Sequence, residues 1–302
     1  LMISLCAFGG IGMQKVPKIF FADSDKAQFF IDYWLPESTR IERTSEDLRL
    51  VEKYLATLPE VKNFATSIGV GPPRFASTLN PEPRNPAFGQ IIVNVHDYRT
   101  IPALQAKIDA WLAENLPDAD PKMRSYISGP PADYKVEARF SGPDPEVRRD
   151  LADKAKAILR DDPNSKYVRD DWRQRVALWE PVYSQQRARD AGVERKDVAG
   201  AILRATDGMP VATYREGDEL IPVRVRSLAG DGLKIPSPES TPVWGDGPAS
   251  VPLGQVVRFS KLSWEDPIVR RYDRRRAITV QCDPAGITSD TLLARVRPQI
   301  EA

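Results

Sequence analysis

One alternation of strand and helix, written twice, constrains the fold of this chain more than any other feature. In FFIDYWLP (29–36), Asp32 and Trp34 alternate with Ile31, Tyr33 and Leu35 up to Pro36, the period-two pattern of a strand. A helix follows. Thr44 and Asp47 have the spacing of a capping box, and Leu48, Val51, Leu55 and Leu58 share one helical face before Pro59 stops the run. VKNFATSIG (61–69) reads as a second strand and QIIVNV (90–95) as a third, with a Pro/Asn-rich loop between them. Thr100 and Pro102 then open a helix carrying Leu104, Ile108, Trp111 and Leu112, and a short strand near 123–128 completes a βαββαβ set.

The pattern restarts at YKVEARF (134–140). Asp144 before Pro145 is an N-cap and N1 pair for a helix expected to bury Val147, Leu151, Ile158 and Leu159, and SKYVR (165–169) returns as a strand. From 170 to about 262 the texture changes to a short helix near 195–205 and hairpin-like strands with turns at Gly217-Asp218 and Asp246-Gly247. The strand and helix still owed to the second set come later, as AITVQC (277–282) and a helix capped by Ser289 that carries Leu292, Leu293 and Val296. The fold class is therefore α+β, with two ferredoxin-like βαββαβ subdomains and a further subdomain inserted in the second. The second set lacks a last strand within the sequence, so the chain reads as a segment of something larger.

Composition narrows the function. Lys and Arg number 43 against 42 Asp and Glu, a net charge of +1, which gives no footprint for nucleic acid. Prolines number 27 against 18 glycines, a sign of many rigid turns between short elements. Cys6 and Cys282 have no metal-ligand spacing, and His96, the only histidine, stands at a strand end, so no catalytic constellation, metal site or cofactor site emerges and an enzyme is disfavoured. The apolar run LMISLCAFGGIG (1–12) is shorter than the roughly 20 residues of a spanning helix. It reads as a buried strand, a poor signal peptide, or, the reading favoured here, the end of a transmembrane helix with Lys15 and Lys18 at the interface.

Several stretches carry a specific resemblance. FFADSDKAQFFIDYWLPESTRIERT, LPEVKNFATSIGVGPPRF, RDAGVERKDVAGAILRATDGMPV, VPLGQV and EDPIVRRYDRRRAITV, in this order, are similar to the second large periplasmic loop of resistance-nodulation-division (RND) efflux transporters, over nearly all of 14–302. The likeness is nearest to the hydrophobe/amphiphile multidrug branch, although Ala22 and Glu37-Ser38 depart from its usual residues. It implies the end of a truncated transmembrane helix at 1–16, a first porter subdomain at 17–131, a second at 132–172 and 263–302, and a docking subdomain at 173–262. It also implies a homotrimeric, proton-driven inner-membrane pump with this segment in the periplasm. Its partners would be hydrophobic or amphiphilic small molecules, a periplasmic adaptor and an outer-membrane channel. A lipid-exporting member of the family and a soluble periplasmic binding or assembly module are the alternatives. A metal-exporting branch is disfavoured, because Met2, Met13, Met123 and Met209 are scattered.

The same resemblance assigns residues. SIGVGPPRF (67–75) lacks the third glycine or Gly-Lys pair of a phosphate loop, Pro72 and Pro73 donate no N–H, and no helix follows. By position it matches the family's switch loop, with Gly69, Gly71, Pro72 and Arg74 in the loop and Phe75 as a gate; an ordinary hairpin loop is the plain alternative. Phe30 and Asp32 match cleft-facing positions, as do Tyr134, Val136 and Ala138, with Arg169 and Thr279 deeper on the wall. Such a wall is expected to be aromatic and small apolar, with Asp32 as an unpaired carboxylate favouring cationic amphiphiles. The tip PVWGDGPAS (242–250), with Trp244, Asp246 and Gly247, is the candidate contact with channel or adaptor. RRYDRRR (270–276) lies among acidic residues and reads as a solvated strand entry.

Overall fold

The computed structural model describes residues 24–75, 80–126, 133–227 and 238–301; the expected helix end at 1–16 and Cys6 lie outside them. Two compact units divide the chain, one comprising its course up to Val176 and again from Asp266, the other Ala177–Glu265. Among the described residues no helix is long and apolar enough to cross a membrane.

In the first unit, β1 (Gln28–Trp34), α1 (Ile41–Leu55), β2 (Val61–Ile68), β3 (Phe88–Val95), α2 (Ile101–Asn115) and β4 (Lys122–Ser125) succeed one another as the alternation predicts. The strands pair antiparallel in the order β2–β3–β1–β4, so that β1 is flanked on both edges, as in a ferredoxin-like βαββαβ fold. The period-two pattern of β1 sends Phe29, Ile31, Tyr33 and Leu35 into a core with Leu48, Val51 and Leu55 of α1 and Leu104, Ile108 and Leu112 of α2. Each such side chain contributes roughly 1.5–3 kcal/mol by leaving water. Trp111 stacks on Tyr54 at 4.3 Å and closes the edge of this core.

The start of α1 corrects the expected capping box. Arg40, extended and without a side-chain cap bond, precedes the helix, and Thr44 and Asp47 lie buried inside it. Thr44 Oγ1 donates to the Pro86 carbonyl at 2.7 Å, while Asp47 accepts the Tyr33 hydroxyl at 2.9 Å and pairs with Arg43 at 3.0 Å. A separation of three residues defines a capping box, but it also places two side chains on one helical face, and here that face looks onto β1.

The chain continues with β5 (Val136–Ser141), α3 (Pro145–Asp161) and β6 (Ser165–Asp170). Asp144 caps α3 as expected, accepting from the backbone N–H of Glu146 at 2.8 Å. The buried face differs from the expected one. It carries Arg148, Ala152, Ala155 and Leu159, while Val147 is 56% and Leu151 40% exposed. The two alanines let the helix backbone approach the sheet closely, which a face of larger residues would prevent. Arg148 anchors that face, donating to the carbonyls of Gly142 and Arg276.

Between β6 and the return of the chain lies the second unit. Its elements are β7 (Val176–Tyr183), α4 (Gln185–Asp190), α5 (Arg195–Ala205), β8 (Met209–Glu216), β9 (Glu219–Val225), β10 (Pro242–Trp244), β11 (Ser250–Pro252), α6 (Leu253–Val256) and β12 (Val257–Glu265). Its strands form three two-stranded sheets, β7 with β12, β8 with β9 and β10 with β11. A small core of Ala188, Val193, Val198, Ala201, Val243, Leu253, Val256 and Val257 holds it together. The N-terminus of α5 is closed by a reciprocal capping box between Glu194 and Asp197. Gly217, with φ +59°, begins the two-residue turn between β8 and β9, as a hairpin of this length requires.

The chain then returns with β13 (Arg271–Tyr272), β14 (Arg275–Pro284) and α7 (Ser289–Glu301). β14 pairs antiparallel with both β5 and β6, which repeats the β1–β3–β2 order of the first sheet. Thr288 caps α7 in place of the expected Ser289, its Oγ1 accepting from the Thr291 N–H at 3.3 Å. Leu292 and Val296 are buried, whereas Leu293 is exposed. Cys282 lies within this second core, where burial pushes its thiol up to about 11.

Candidate functional site

The face of β1 turned away from its helices carries Phe30, Asp32 and Trp34, and these three side chains organise the site. Phe30 packs on Tyr126 at 4.8 Å between ring centroids and on Phe75 at 6.5 Å, with Lys26 Nζ 4.0 Å from the Tyr126 ring. Phe75 is half exposed, whereas Phe30, expected to face the cleft, is buried beneath Phe75 and Tyr126 and lines no part of the cavity. Asp32 is not the unpaired carboxylate expected from the sequence. Arg124 Nε lies 2.5 Å from its Oδ2, and Gln90 Nε2 donates to its Oδ1. The register explains this, since Arg124 of β4 sits opposite Phe30 and Gln90 of β3 opposite Asp32.

Beyond Asp32 lies a cavity of about 590 Å³ bounded by both sheets of the first unit. Asp32, Trp34 and Lys122 come from the first set of elements, and Tyr134, Arg169 and Gln281 from the second. Its wall carries five carboxylates and six cationic side chains, which corrects the expected aromatic and small apolar lining. A second cavity of about 570 Å³ shares Trp34, Arg169 and Arg173 with the first, so these three side chains separate the two spaces. Arg173 stands over the Trp34 ring at 3.4 Å, and Arg169 at 5.3 Å.

Charged contacts cross from one sheet to the other. Lys122 Nζ reaches Asp283 Oδ2 at 2.9 Å, and Arg173 Nε reaches Glu37 Oε1 at 2.8 Å; the side chains of the latter pair are each only 8% exposed. The Tyr167 hydroxyl donates to Asp109 at 2.8 Å. Burial lowers the Lys122 ammonium below the usual lysine range despite Asp283. Burial and then the Arg169 charge bring the Arg173 guanidinium down to about 10, against the opposing pull of Glu37. Tyr134, whose ring lies 3.1 Å from Lys122 Nζ, is raised by burial.

The other expected site residues separate. Val136 is buried among the second core, and Ala138, two residues on and paired with Val280, shares its face, so neither lines the cavity. Thr279 is buried, accepting from Arg139 Nε at 3.3 Å and donating its N–H to Asp171 at 2.7 Å. Gly69 has φ +75°, and a Cβ at Gly71 would stand 2.7 Å from the backbone N of Glu82. The Gly71 N–H donates to the Glu82 carbonyl at 3.2 Å, so the turn that carries Pro72, Arg74 and Phe75 is tied to the loop that carries Glu82. Residues 76–79 of that segment lie outside the described residues.

In the second unit, the hairpin tip at 242–250 packs back onto the turn between α4 and α5. The Asp246 N–H donates to the Gly192 carbonyl at 3.1 Å, and a Cβ at Gly245 would come within 1.9 Å of that oxygen. Trp244 is half exposed under Arg204 at 4.4 Å, and Gly247 lies at the open end of the turn. The β8–β9 hairpin is longer and exposed along both strands.

The model of the AcrB/AcrD/AcrF family matches residues 1–301. The chain belongs to this family. Its members are RND efflux transporters of the inner membrane. Two crystal forms of a heavy metal efflux pump align with 99% of the chain at TM-scores of 0.76 and 0.77 and 18% sequence identity. The chain spans about a third of that pump's length, 32% and 31% in the two forms, and at this identity the likeness carries the fold. A search of curated proteins gives no significant match.

Within this AcrB/AcrD/AcrF-family fold, sequence reasoning passed over Tyr126, Arg124, Glu82 and Arg173. Arg124 lies in β4 and Tyr126 directly after it, both within the stretch near 123–128 expected as a strand, and alternation could have put the two on one face. Glu82, in the loop NPEPRNP, and Arg173, beyond a strand end, carry no periodic signal.

Proposed function

We propose that this chain is the periplasmic, substrate-handling part of a proton-driven RND efflux pump that works as a homotrimer with a periplasmic adaptor and an outer-membrane channel. The observation that supports this reading is the match to the family along residues 1–301, together with a cavity bounded by both sheets of the first unit. The two βαββαβ sets act as porter subdomains, and Ala177–Glu265 as the docking subdomain. Substrate enters between the porter subdomains, and alternating opening of that cleft moves it onward. Opening must part Lys122 from Asp283 and Glu37 from Arg173. Phe75, half exposed over the buried Phe30 and Tyr126 rings, offers apolar contact on the same side of β1 as Asp32, a combination suited to amphiphiles of the multidrug branch. The structurally similar heavy metal pump raises a metal substrate as a second reading. Against it, no cluster of three or more His, Cys, Asp or Glu suited to a metal ion occurs among the described residues, and Met123 is buried in the first core.

The test uses the full-length parent in pump-deficient cells. Expression should lower accumulation of amphiphilic dyes. A Glu37→Cys, Arg173→Cys pair, bridged by a reductant-cleavable bifunctional thiol reagent that spans the two long side chains it replaces, should abolish export, and reductant should restore it. A parent that exports no dye overturns the drug-export reading, and a cross-linked pump with undiminished export overturns the moving cleft.

A further inference from the structure

The carboxylates around the cavity between the two sheets are not equivalent. Asp32 is bound by Arg124 and Gln90, Asp133 by Arg124 at 3.4 Å, Glu37 by Arg173, and Asp171 by the Thr279 N–H. Glu82, half-buried on the same wall, makes no side-chain hydrogen bond or ion pair within 4.0 Å among the described residues. Its neighbours deepen the imbalance. Asp32 and Asp133 both contact the single guanidinium of Arg124, so three carboxylates gather where one cation is in contact. Burial and then these two carboxylates raise the Glu82 carboxyl above the usual range, with Arg169 and Arg124 opposing from beyond contact distance. Of the other five cations of the wall, Lys122 pairs with Asp283 and Arg173 with Glu37, Arg169 acts on Glu82 only from beyond contact distance, and Arg84 and Arg270 stand exposed with no ion pair to Glu82 within 4.0 Å among the described residues.

An unpaired carboxylate half-buried on a cavity wall is costly unless something cationic arrives. We propose that Glu82 receives the cationic group of the transported molecule, which makes monocationic amphiphiles, ammonium or amidinium compounds with an aromatic body, the class this cavity selects. The Trp34 and Tyr134 rings on the same wall already carry protein cations, Arg173 and Lys122, so they show the wall's tolerance for a cation over an aromatic face. Glu82 takes the role that the sequence suggested for Asp32. Its backbone is tied to the Gly71 turn, so a change at that turn moves the receiving carboxylate with it.

This inference rests on the proposed export function, and its test separates the two. The full-length pump is expressed in pump-deficient cells, and efflux is followed for a cationic dye and for a neutral dye of similar shape. Glu82→Gln should reduce cationic efflux about tenfold, the loss of one charge-assisted contact, and leave neutral efflux unchanged, while Glu82→Asp retains part of the cationic efflux. Equal loss of both dyes at matched protein level, or loss of neither, overturns the role of Glu82 while the export function stands. A parent that exports neither dye overturns the export function and this inference with it. Should Glu82→Gln fail to accumulate, the preference of Glu82→Asp for cationic over neutral dye decides, and a ratio equal to the parent's with both rates lowered counts against the proposal.

Discussion

β1 and β8 are strands of nearly equal length, 7 and 8 residues, set in opposite surroundings: β1 is buried on both faces, β8 on neither. β1 lies in a four-stranded sheet against two helices, and its second face is covered by Arg124, Gln90 and the aromatic cluster around Phe30. β8 pairs only with β9, and the hairpin exposes Val211, Tyr214, Ile221, Val223 and Val225. Register places Tyr214 opposite Ile221 and Ala212 opposite Val223, one apolar face along the hairpin with Glu216 and Glu219 at its tip. A two-stranded hairpin is only marginally stable in water by itself. The first unit thus carries its own cover, while the hairpin of the second is held mainly by its ladder and its turn.

The largest effect should come from the covered strand. Phe29→Ala in the chain as given should cost about 3–5 kcal/mol in urea unfolding, because the ring fills a core that cannot collapse around a void. A loss below about 1 kcal/mol would mean that the core is looser than its burial implies. In the second unit the expected sensitivity lies at the clamped tip. Gly245→Ala sets a Cβ against the Gly192 carbonyl and should cost about 1–3 kcal/mol, the range for overpacking, read as a lower midpoint. No change would show that the tip lifts freely from that turn.

A smaller effect, with a definite sign, belongs to the cavity of the first unit. The folded state raises the Glu82 carboxyl, so its contribution to stability is fully present below the ordinary carboxylate range and is lost as pH rises through the raised value. Glu82→Gln should therefore raise Tm slightly at pH 7, and the gain should vanish below about pH 4. A gain that grows on acidification would reverse the assignment. The smallest effect should be on the hairpin, where Tyr214→Ser in the chain alone should stay within about 0.5 kcal/mol. A cost matching that of Phe29→Ala would erase the contrast between the two strands.

Legibility in the sequence followed the same division. The elements of the first unit were readable because each turns one apolar face into a core shared by sheet and helices, which imposes a period of two on strands and 3.6 on helices. Hairpin turns in the second unit were readable from Gly217-Asp218 and from Asp246-Gly247, since glycine takes conformations other residues resist. Which face of α3 turns inward was not readable, because hydrophobicity ranks Val147 and Leu151 above Ala152 and Ala155, whereas the sheet admits the smaller pair. Nor was the purpose of Thr44 and Asp47, for which two structural roles share one spacing.

The candidate site was half legible. Alternation along β1 placed Phe30, Asp32 and Trp34 together on one face, and family likeness brought Tyr134 and Arg169 to the same space. Their partners were hidden. Arg124 comes from 92 residues away and Arg173 meets Glu37 across the two sheets. By itself the sequence determined one βαββαβ set, its partial repeat, the inserted unit and the family, because local periodicity and motif order are written along the chain. Only the tertiary structure decided which carboxylates of the cavity wall find a cation and that Glu82, among the described residues, does not, because pairing between distant carboxylates and cations depends on strand register and the approach of two sheets, neither of which any local pattern records.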